Sequence, residues 1–206
     1  TMKLAGTLGL RTPECRLELP GSPHPIGLFS RFDRREGGRV PYISARTALG
    51  KVGHASGFYT DIADIIRTIS ARPGDDLLQI WLRMVFGILV TNTDDHLKNH
   101  GFLYVGAGRW RLSPVFDVNP APDRNPHLET AILEGGAHDR SINLALEACA
   151  FFEIPEAEAR EMIRTMAQRV SDGWREAFRQ VGVSGAPARD YEAAFVGAEM
   201  ETAHVV

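Results

Sequence analysis

Residues 91–101 read TNTDDHLKNHG, and this polar stretch decides how the chain around it folds. It follows neither the 3.6-residue period of an amphipathic helix nor the two-residue period of a half-buried strand. The residues before it, 77–90, are apolar on nearly every face of a helix, which is typical of a helix at the centre of a core. The sequence therefore predicts a polar loop that directly follows a buried helix.

Two short apolar runs follow the loop, FLYV at 102–105 and WRLSPVFDV at 110–118, and Gly106 and Gly108 separate them. Short apolar runs joined by a glycine-containing turn predict a β-hairpin. Because a hairpin brings its two ends together, we expect Asp117, near the end of the second run, to return to the polar loop.

The rest of the chain alternates short strands with longer helices. Strands are predicted at 15–19 and 26–33. Helices are predicted at 2–10, at 45–49 after a Ser44 cap, at 61–69 after a Thr60 cap, at 75–90 after Pro73-Gly74, from Pro155 to near Gly182, and at 186–200. Residues 119–140 are predicted to be irregular. This order predicts the α+β class, with a small sheet on a mainly helical body.

Composition and charge limit the classes of function. Hydrophobic residues make up 44% and charged residues 24%, which is ordinary for a soluble globular protein. A net charge of -3 leaves no basic footprint, so we expect no direct nucleic-acid binding. No apolar run is long enough to predict a membrane span. Cys15 and Cys149 lie far apart without a C-x-x-C neighbour, which disfavours a disulfide framework or a zinc site and fits a reducing, cytoplasmic compartment.

The polar residues around the loop have the types and spacing that phosphoryl transfer needs. That reaction uses a carboxylate to receive the proton of the attacking hydroxyl, and oxygen ligands to hold Mg²⁺ on the phosphates. Asn99 follows Asp94 by five residues, as in kinase catalytic loops, and Asp117 lies 18 residues beyond Asn99. An amide oxygen and a carboxylate suit Mg²⁺. Lys98 is placed to neutralise the transferred phosphate, and His96 to orient the loop.

Simpler interpretations of the same residues stay open on this pattern alone. Aspartate and asparagine favour turns, so Asp94 and the polar residues after it can be turn residues without a chemical role. Asp117 can equally cap the Asn119-Pro120 segment that follows it.

The loop histidines allow another alternative. His96 and His100 are four residues apart, which is the spacing of a metal-binding pair on a helix. Gly101 and the polar run argue against a helix there, so we expect His100, like His127, to be a surface residue. If the histidines bind a metal instead, the chain would be a metal-dependent hydrolase that uses Asp94, Asp95, His96 and His100.

The loop and the end of the hairpin together resemble a known family. N-T-D-D-H-L-K-N at 92–99, followed by S-P-V-F-D at 113–117, is similar to the motifs of the HipA-like serine/threonine kinases of bacterial toxin–antitoxin systems. S-R-F-D-R at 30–34 resembles the hinge strand of that family, and L-A-L-E-A at 144–148 resembles its C-terminal helical region. The resemblance extends from about residue 1 to about residue 200.

The resemblance implies a protein-kinase-like fold and an ATP- and Mg²⁺-dependent transfer of phosphate to a protein serine. Residues 1–33 would be a remnant of the smaller, β-containing lobe with the hinge strand, and residues 34–206 would be the mainly helical larger lobe. Asp94 would be the catalytic base, and Asn99 and Asp117 would hold Mg²⁺. The implied nucleotide-binding residues are Ser30, Arg31, Phe32, His96, Leu97, Lys98, Asn99, Phe116 and Asp117.

The resemblance also implies partners, and the sequence departs from the family in one region. The family usually pairs with a small DNA-binding antitoxin, and some members phosphorylate an aminoacyl-tRNA synthetase. No glycine-rich phosphate loop and no strand lysine occur before residue 30, where Lys3 lies in a different context, and Ser30 stands where the family often has an acidic residue. We therefore expect a C-terminal fragment, a truncated gene product or one half of a split kinase. The alternative is a catalytically inactive kinase-like module that docks an antitoxin.

Overall fold

The structure is a computed structural model that describes residues 1–20, 22, 24–52, 57–122, 127–136 and 138–206. The helices are α1 (Met2–Thr7), α2 (Ala45–Ala48), α3 (Tyr59–Ile69), α4 (Pro73–Leu89), α5 (Ile142–Glu147), α6 (Glu156–Gln180), α7 (Ala186–Asp190) and α8 (Ala198–Val205), with short 3₁₀ helices at Ala148–Phe152 and Glu192–Ala194. The strands are β1 (Cys15–Glu18), β2 (Ile26–Phe29), β3 (Arg34–Arg35), β4 (Gly38–Arg39), β5 (Tyr42–Ser44), β6 (Gly101–Gly106) and β7 (Arg109–Leu112). A small amount of sheet beside a mainly helical body confirms the predicted α+β class.

α4 is the central helix of the core. Pro73 occupies its first turn, where a missing N–H does no harm because that donor would have no partner within the helix. Leu77 and Trp81 lie on one face of α4 and Phe86 lies on the opposite face, and all three are fully buried. The indole nitrogen of Trp81 also donates a hydrogen bond to the carbonyl of Ala145 in α5, at 3.0 Å. Because α3, α5 and α6 all pack against α4, the predicted central helix is confirmed.

β5, β6 and β7 form an antiparallel sheet that carries the segments next to the polar loop. β6 and β7 are the predicted hairpin. β5 adds to it with Ser44 opposite Gly101, which sets the start of α2 beside the end of the loop. The strand predicted over 110–118 was too long, since β7 ends at Leu112. Pro114 lacks the N–H that a further ladder bond needs, and Asp117 has a positive φ of 58°.

Two shorter helices differ in how well their starts were predicted. The Ser44 cap of α2 is confirmed, because its Oγ accepts the N–H of Thr47 at 3.2 Å. The Thr60 cap is wrong, because α3 already begins at Tyr59 and Thr60 lies inside it. The carboxylate of Asp61 holds the start of α3 instead and accepts the N–H of Phe58 at 3.2 Å.

The C-terminal third is helical, but not as continuously as predicted. α6 confirms the helix predicted from Pro155 to near Gly182. The single helix predicted over 186–200 is wrong, because α7, a 3₁₀ turn and α8 replace it. Extended backbone at Gly197, with φ 158° and ψ -176°, separates that turn from α8.

The N-terminal strands form small hairpins, β1 with β2 and β3 with β4. The strand predicted at 26–33 ends at Phe29, and the β3–β4 hairpin follows, closed by a hydrogen bond from the amide of Val40 to the carbonyl of Asp33 at 3.0 Å. Between 119 and 140 the described residues form only isolated bridges, and residues 123–126 and 137 lie outside the described part. Among the described residues, no helix has the length and apolar character needed to cross a membrane.

Candidate active site

The start of α2 fixes the second half of the polar loop. The amide of Ala45 donates to the carbonyl of His100 at 2.8 Å, and the amide of Arg46 donates to the carbonyl of Leu97 at 3.3 Å. The first amides of a helix have no acceptor within that helix. The start of α2 therefore holds the loop in place with backbone donors that would otherwise bond to water.

The segment after β7 fixes the first half of the loop. The carbonyl of Thr91 accepts the N–H of Ala121 at 3.0 Å, and the carbonyl of Thr93 accepts the N–H of Glu129 at 3.1 Å. The chain that follows Asp117 therefore runs back along the beginning of the loop.

Asp95 is an internal anchor of the loop. It is 7% exposed, its Oδ2 accepts the hydroxyl hydrogen bond of the buried Tyr59, and its Oδ1 lies 3.2 Å from Nε2 of His100. Burial alone would raise the pKa of the Asp95 carboxyl, but His100, Tyr59 and Arg83 outweigh it and lower this pKa below its usual value. Burial and then the Asp95 charge raise the pKa of Tyr59, so its phenol remains a donor. His100 is 2% exposed, so the predicted surface position was wrong.

Arg83, on α4, adds a buried positive charge behind this anchor. It is 3% exposed, and its guanidinium donates to the carbonyl of Ser113. Burial lowers the pKa of Arg83 to about 9. Since that value is still above neutrality, the guanidinium is charged at pH 7, and its attraction helps to keep Asp95 ionised.

Asp94 and Asn99 face each other across the loop. Asn99 is buried, and its Nδ2 donates to the backbone carbonyl of Asp94 at 3.1 Å. This bond occupies the amide nitrogen and leaves the amide oxygen, which is the atom that a magnesium ligand needs. The Asp94 carboxylate is exposed and has no hydrogen-bond or ion-pair partner among the described residues. A carboxylate in this state is available to accept a proton.

Asp117 lies on the segment after β7 in the left-handed backbone region, with φ 58°. Such a conformation is uncommon for a residue other than glycine and often occurs at functional sites. Its Oδ1 accepts a hydrogen bond from Nδ2 of Asn119 at 2.9 Å. The amide of Asn119 donates to Oδ1 of the buried Asn92 at 3.0 Å. The segment that carries Asp117 is therefore fastened to the start of the loop.

A cavity of about 950 Å³ opens beside Asp117. Its wall combines aromatic and apolar side chains with a few charged groups, as in many small-molecule sites. Six of the residues predicted to bind nucleotide or metal line this cavity: Ser30, Arg31, Phe32, Lys98, Phe116 and Asp117.

The predicted hinge, residues 30–32, forms one side of this cavity. Phe32 packs against Phe116, with the ring centroids 5.6 Å apart, so the hinge and the segment after β7 share one wall. Arg31 donates two hydrogen bonds to Asp33, at 2.8 and 2.7 Å. These bonds hold the pKa of the Asp33 carboxyl well below its usual range.

Residues 1–174 match the model of the HipA-like C-terminal domain. The chain belongs to this family. Two curated relatives carry the name "Putative kinase": Y4mE of Sinorhizobium fredii, 31% identical over 77 residues, and a protein of Haemophilus influenzae, 26% identical over 140 residues. These matches cover 36% and 60% of the HipA-like chain, but only 18% and 41% of the two relatives.

Solved structures share the fold of this HipA-like chain. HipA of Shewanella oneidensis MR-1, in a complex with HipB and its operator DNA, superposes with a TM-score of 0.79 at 16% identity, over 98% of this chain and 54% of that one. The proinflammatory kinase CtkA of Helicobacter pylori superposes with a TM-score of 0.57 at 13% identity, over 98% and 82%. At these identities the similarity shows the fold alone, and it confirms the predicted kinase-like fold class.

Four predicted site residues of the HipA-like chain do not line the cavity: Asp94, His96, Leu97 and Asn99. Leu97 belongs to the hydrophobic core and packs on Gly57, where an added Cβ would lie 2.7 Å from a Leu97 methyl carbon. His96 is half-buried. The nucleotide- and metal-binding roles of all these residues stay predictions.

The hydrolase alternative requires ligands that the structure separates. Asp95 and His100 pair with each other in the interior, whereas Asp94 is exposed. Across the part of the chain that the structure describes, no group of three or more histidine, cysteine, aspartate or glutamate side chains is arranged to hold a metal ion.

Sequence reasoning missed several residues of the site. One of them is Tyr42, which lines the cavity. Another is Tyr59, which donates to Asp95 of the loop from 36 positions away, and so large a separation leaves no local sequence signal. Asn119 could have been noticed, because a polar residue two positions after a proposed metal ligand is well placed to contact it. Glu14 was also missed; its carboxylate oxygen lies 3.4 Å from the hydroxyl of Ser30, one of the predicted hinge residues.

Proposed function

We propose that this chain forms the ATP- and Mg²⁺-binding part of a serine/threonine protein kinase. The observation that carries the proposal is the cavity in which hinge residues 30–32 meet Lys98, Phe116 and Asp117. Membership of the HipA-like family and the kinase names of the relatives support a kinase-like function. The cavity supports a specific location for the nucleotide.

The residues in and beside the cavity fit both ATP and Mg²⁺. Phe32 and Phe116 offer aromatic faces against which an adenine can pack. Asp117 in the cavity wall, and Asn99 on the loop outside that wall, offer the carboxylate and amide oxygens that Mg²⁺ prefers. Lys98 is exposed in the cavity wall, has no partner among the described residues, and offers a positive charge to a phosphate. When bound, ATP supplies the phosphoryl group and Mg²⁺ neutralises charge on it.

The two adjacent loop carboxylates suit different tasks. Asp94 is exposed and its carboxylate is unpaired among the described residues, so it is the group that can accept the proton of a substrate serine hydroxyl. Asp95 is committed to Tyr59 and His100 in the interior and cannot reach a substrate without breaking those contacts. We therefore assign proton acceptance to Asp94 and loop positioning to Asp95.

The remaining parts of the kinase belong to the same proposal. This chain spans 54% of the S. oneidensis HipA chain. We propose that a smaller-lobe part supplying the phosphate loop and the strand lysine completes the site, and that the substrate is a protein serine. Because that HipA is in a complex with HipB and operator DNA, we propose a small DNA-binding antitoxin as the partner.

A calorimetric titration of ATP tests the site. In the presence of Mg²⁺, Asp117→Ala should weaken binding about 10- to 100-fold, the size of one lost interaction with a charged group. In EDTA the variant and the wild type should bind alike. Asp172→Ala, an exposed carboxylate on α6 outside the cavity, is the matched control and should change neither titration. Equal Mg²⁺-dependent affinities for wild type and Asp117→Ala would refute the proposed site.

A catalytically inactive docking module is the second candidate, and the complex of S. oneidensis HipA with HipB and operator DNA favours it, because a protein of this fold is there assembled with partners. Phosphate transfer separates the two candidates. A kinase with a completed smaller lobe should autophosphorylate or phosphorylate a protein serine, and Asp94→Asn should abolish that transfer with ATP affinity unchanged. A docking module should bind its partner equally well whether position 94 is aspartate or asparagine.

A further inference from the structure

We infer that Asn119 is a positioning residue that holds the carboxylate of Asp117 in the orientation needed for Mg²⁺. This inference rests on the proposed function, because it takes Asp117 as the metal ligand. The observation behind it is a chain of hydrogen bonds that runs from the start of the polar loop to that carboxylate.

This series of hydrogen bonds begins at a buried residue. Asn92 is 2% exposed and lies two positions before Asp94. Its Oδ1 accepts the N–H of Asn119 at 3.0 Å. Two residues further on, the amide of Ala121 donates to the carbonyl of Thr91 at 3.0 Å. Two bonds therefore fix the backbone of residues 119–121 on the loop.

Asn119 is also restricted by its neighbour. The ring of Pro120 disfavours helical backbone at the preceding residue and limits Asn119 to extended conformations. A side chain that starts from a fixed backbone has few positions available to its amide. The Asn119 amide is therefore held in place although it is exposed to the cavity.

The last hydrogen bond of this series reaches Asp117. Nδ2 of Asn119 lies 2.9 Å from Oδ1 of Asp117. An ionised carboxylate only accepts hydrogen bonds, so the nitrogen of the amide must face it. This donor occupies one carboxylate oxygen and stops rotation of the group, which leaves Oδ2 directed elsewhere. An exposed aspartate without such a donor would sample several rotamers, and a metal would have to select one of them.

The local alternative is that this bond only closes a turn. Asparagine and aspartate two residues apart often bond to each other or to the nearby backbone for that reason alone. The two roles differ in what they affect. A turn contributes to thermal stability, whereas a positioned metal ligand determines how much Mg²⁺ is needed for nucleotide binding.

The test measures the Mg²⁺ concentration that gives half-maximal ATP binding, together with the melting temperature, for the whole chain. Asn119→Ala should raise this concentration about tenfold, as expected for one charge-assisted hydrogen bond, with ATP binding in EDTA unchanged. Its melting temperature should stay within about 2 °C of the wild type, as for other exposed substitutions. Asn119→Gln, which keeps the amide donor, should recover part of the loss.

Asn143→Ala provides a matched control, because Asn143 is an exposed asparagine on α5 outside the cavity. If Asp117→Ala raises the required Mg²⁺ concentration but Asn119→Ala does not, the inference about Asn119 is overturned and the proposed function stands. If neither variant does, both are overturned. If Asn119→Ala lowers the melting temperature and weakens ATP binding equally with Mg²⁺ and in EDTA, the bond only closes a turn, and the inference is again overturned.

Discussion

Replacing Tyr59 with phenylalanine should destabilise the protein by removing a single oxygen. The hydroxyl of Tyr59 is buried and donates to Asp95, whose carboxylate is ionised because its pKa is lowered. A buried hydrogen bond to a charged group contributes about 1.5–3 kcal/mol, and Tyr59→Phe removes it without changing the ring. At roughly 2–4 °C per kcal/mol for a chain of this size, the melting temperature should fall by about 3–12 °C.

The pH dependence of this loss identifies its cause. A carboxyl whose pKa is lowered by folding contributes stability above its unfolded pKa of about 3.9, and that contribution is lost as the pH falls through the folded pKa. Once Asp95 is protonated, the Tyr59 hydroxyl no longer meets a charge. The difference in unfolding free energy between wild type and Tyr59→Phe should therefore shrink below about pH 4.

The same difference should also shrink in alkali. Folding raises the pKa of Tyr59, so its contribution is complete below the unfolded pKa of about 10 and is lost as the pH rises toward the folded pKa. Phenylalanine does not ionise, so the variant lacks this loss. We expect the stability difference to be greatest between about pH 5 and pH 9.

Urea unfolding followed by circular dichroism across this pH range measures the difference directly. Tyr104→Phe is the matched control, because the Tyr104 oxygen accepts the amide of Gly108 in an exposed turn, at 3.1 Å. That control should cost less than about 0.5 kcal/mol at every pH. A Tyr59→Phe loss below about 0.5 kcal/mol at pH 7, or one that does not vary between pH 2 and pH 7, would refute a charged Asp95 anchor.

Two further substitutions test how the site is supported. Asp76 is fully buried and accepts hydrogen bonds from Arg11 at 2.6 Å and from Arg111 at 3.0 Å. Asp76→Asn should therefore lower the unfolding free energy measured in urea by about 3–5 kcal/mol. A decrease of less than about 1 kcal/mol would contradict this account. A Cβ added at Gly101 would overlap the ring of Tyr42 in the cavity wall. Gly101→Ala should therefore lower the unfolding free energy by about 1–3 kcal/mol and weaken ATP binding. If the variant has the ATP affinity and the melting temperature of the wild type, the Tyr42 ring is not packed on Gly101.

The parts of the fold that the sequence predicts are those fixed by neighbouring residues. α4 is apolar on nearly every face from Leu77 onward, and α6 has apolar residues three or four positions apart after Pro155, so both are recognisable without tertiary information. The β6–β7 hairpin follows from two apolar runs around Gly106 and Gly108 in the same way. The helix predicted over 186–200 fails because a short apolar pattern does not reveal that the backbone at Gly197 is extended.

The parts that the sequence does not predict depend on residues far apart in the chain. Asp76 is interpreted locally as an acid that favours a helix start, but its partner Arg11 lies 65 positions away. Asp95 is interpreted locally as a turn residue, and its partner Tyr59 lies 36 positions away. Aspartate is common at both kinds of exposed position, so its type alone cannot reveal that these two are buried and paired.

The burial pattern of the loop separates the residues that fix its shape from the residues to which the proposed function assigns chemistry. Asp95, Leu97 and Asn99 are buried, whereas Asp94 and Lys98 are exposed. The buried residues make the contacts that fix the loop. The two exposed side chains have no partner among the described residues, so no visible contact with the fold explains them. In the proposed function Asp94 would accept a proton and Lys98 would face a phosphate, and because both are exposed the fold carries them at little cost to stability.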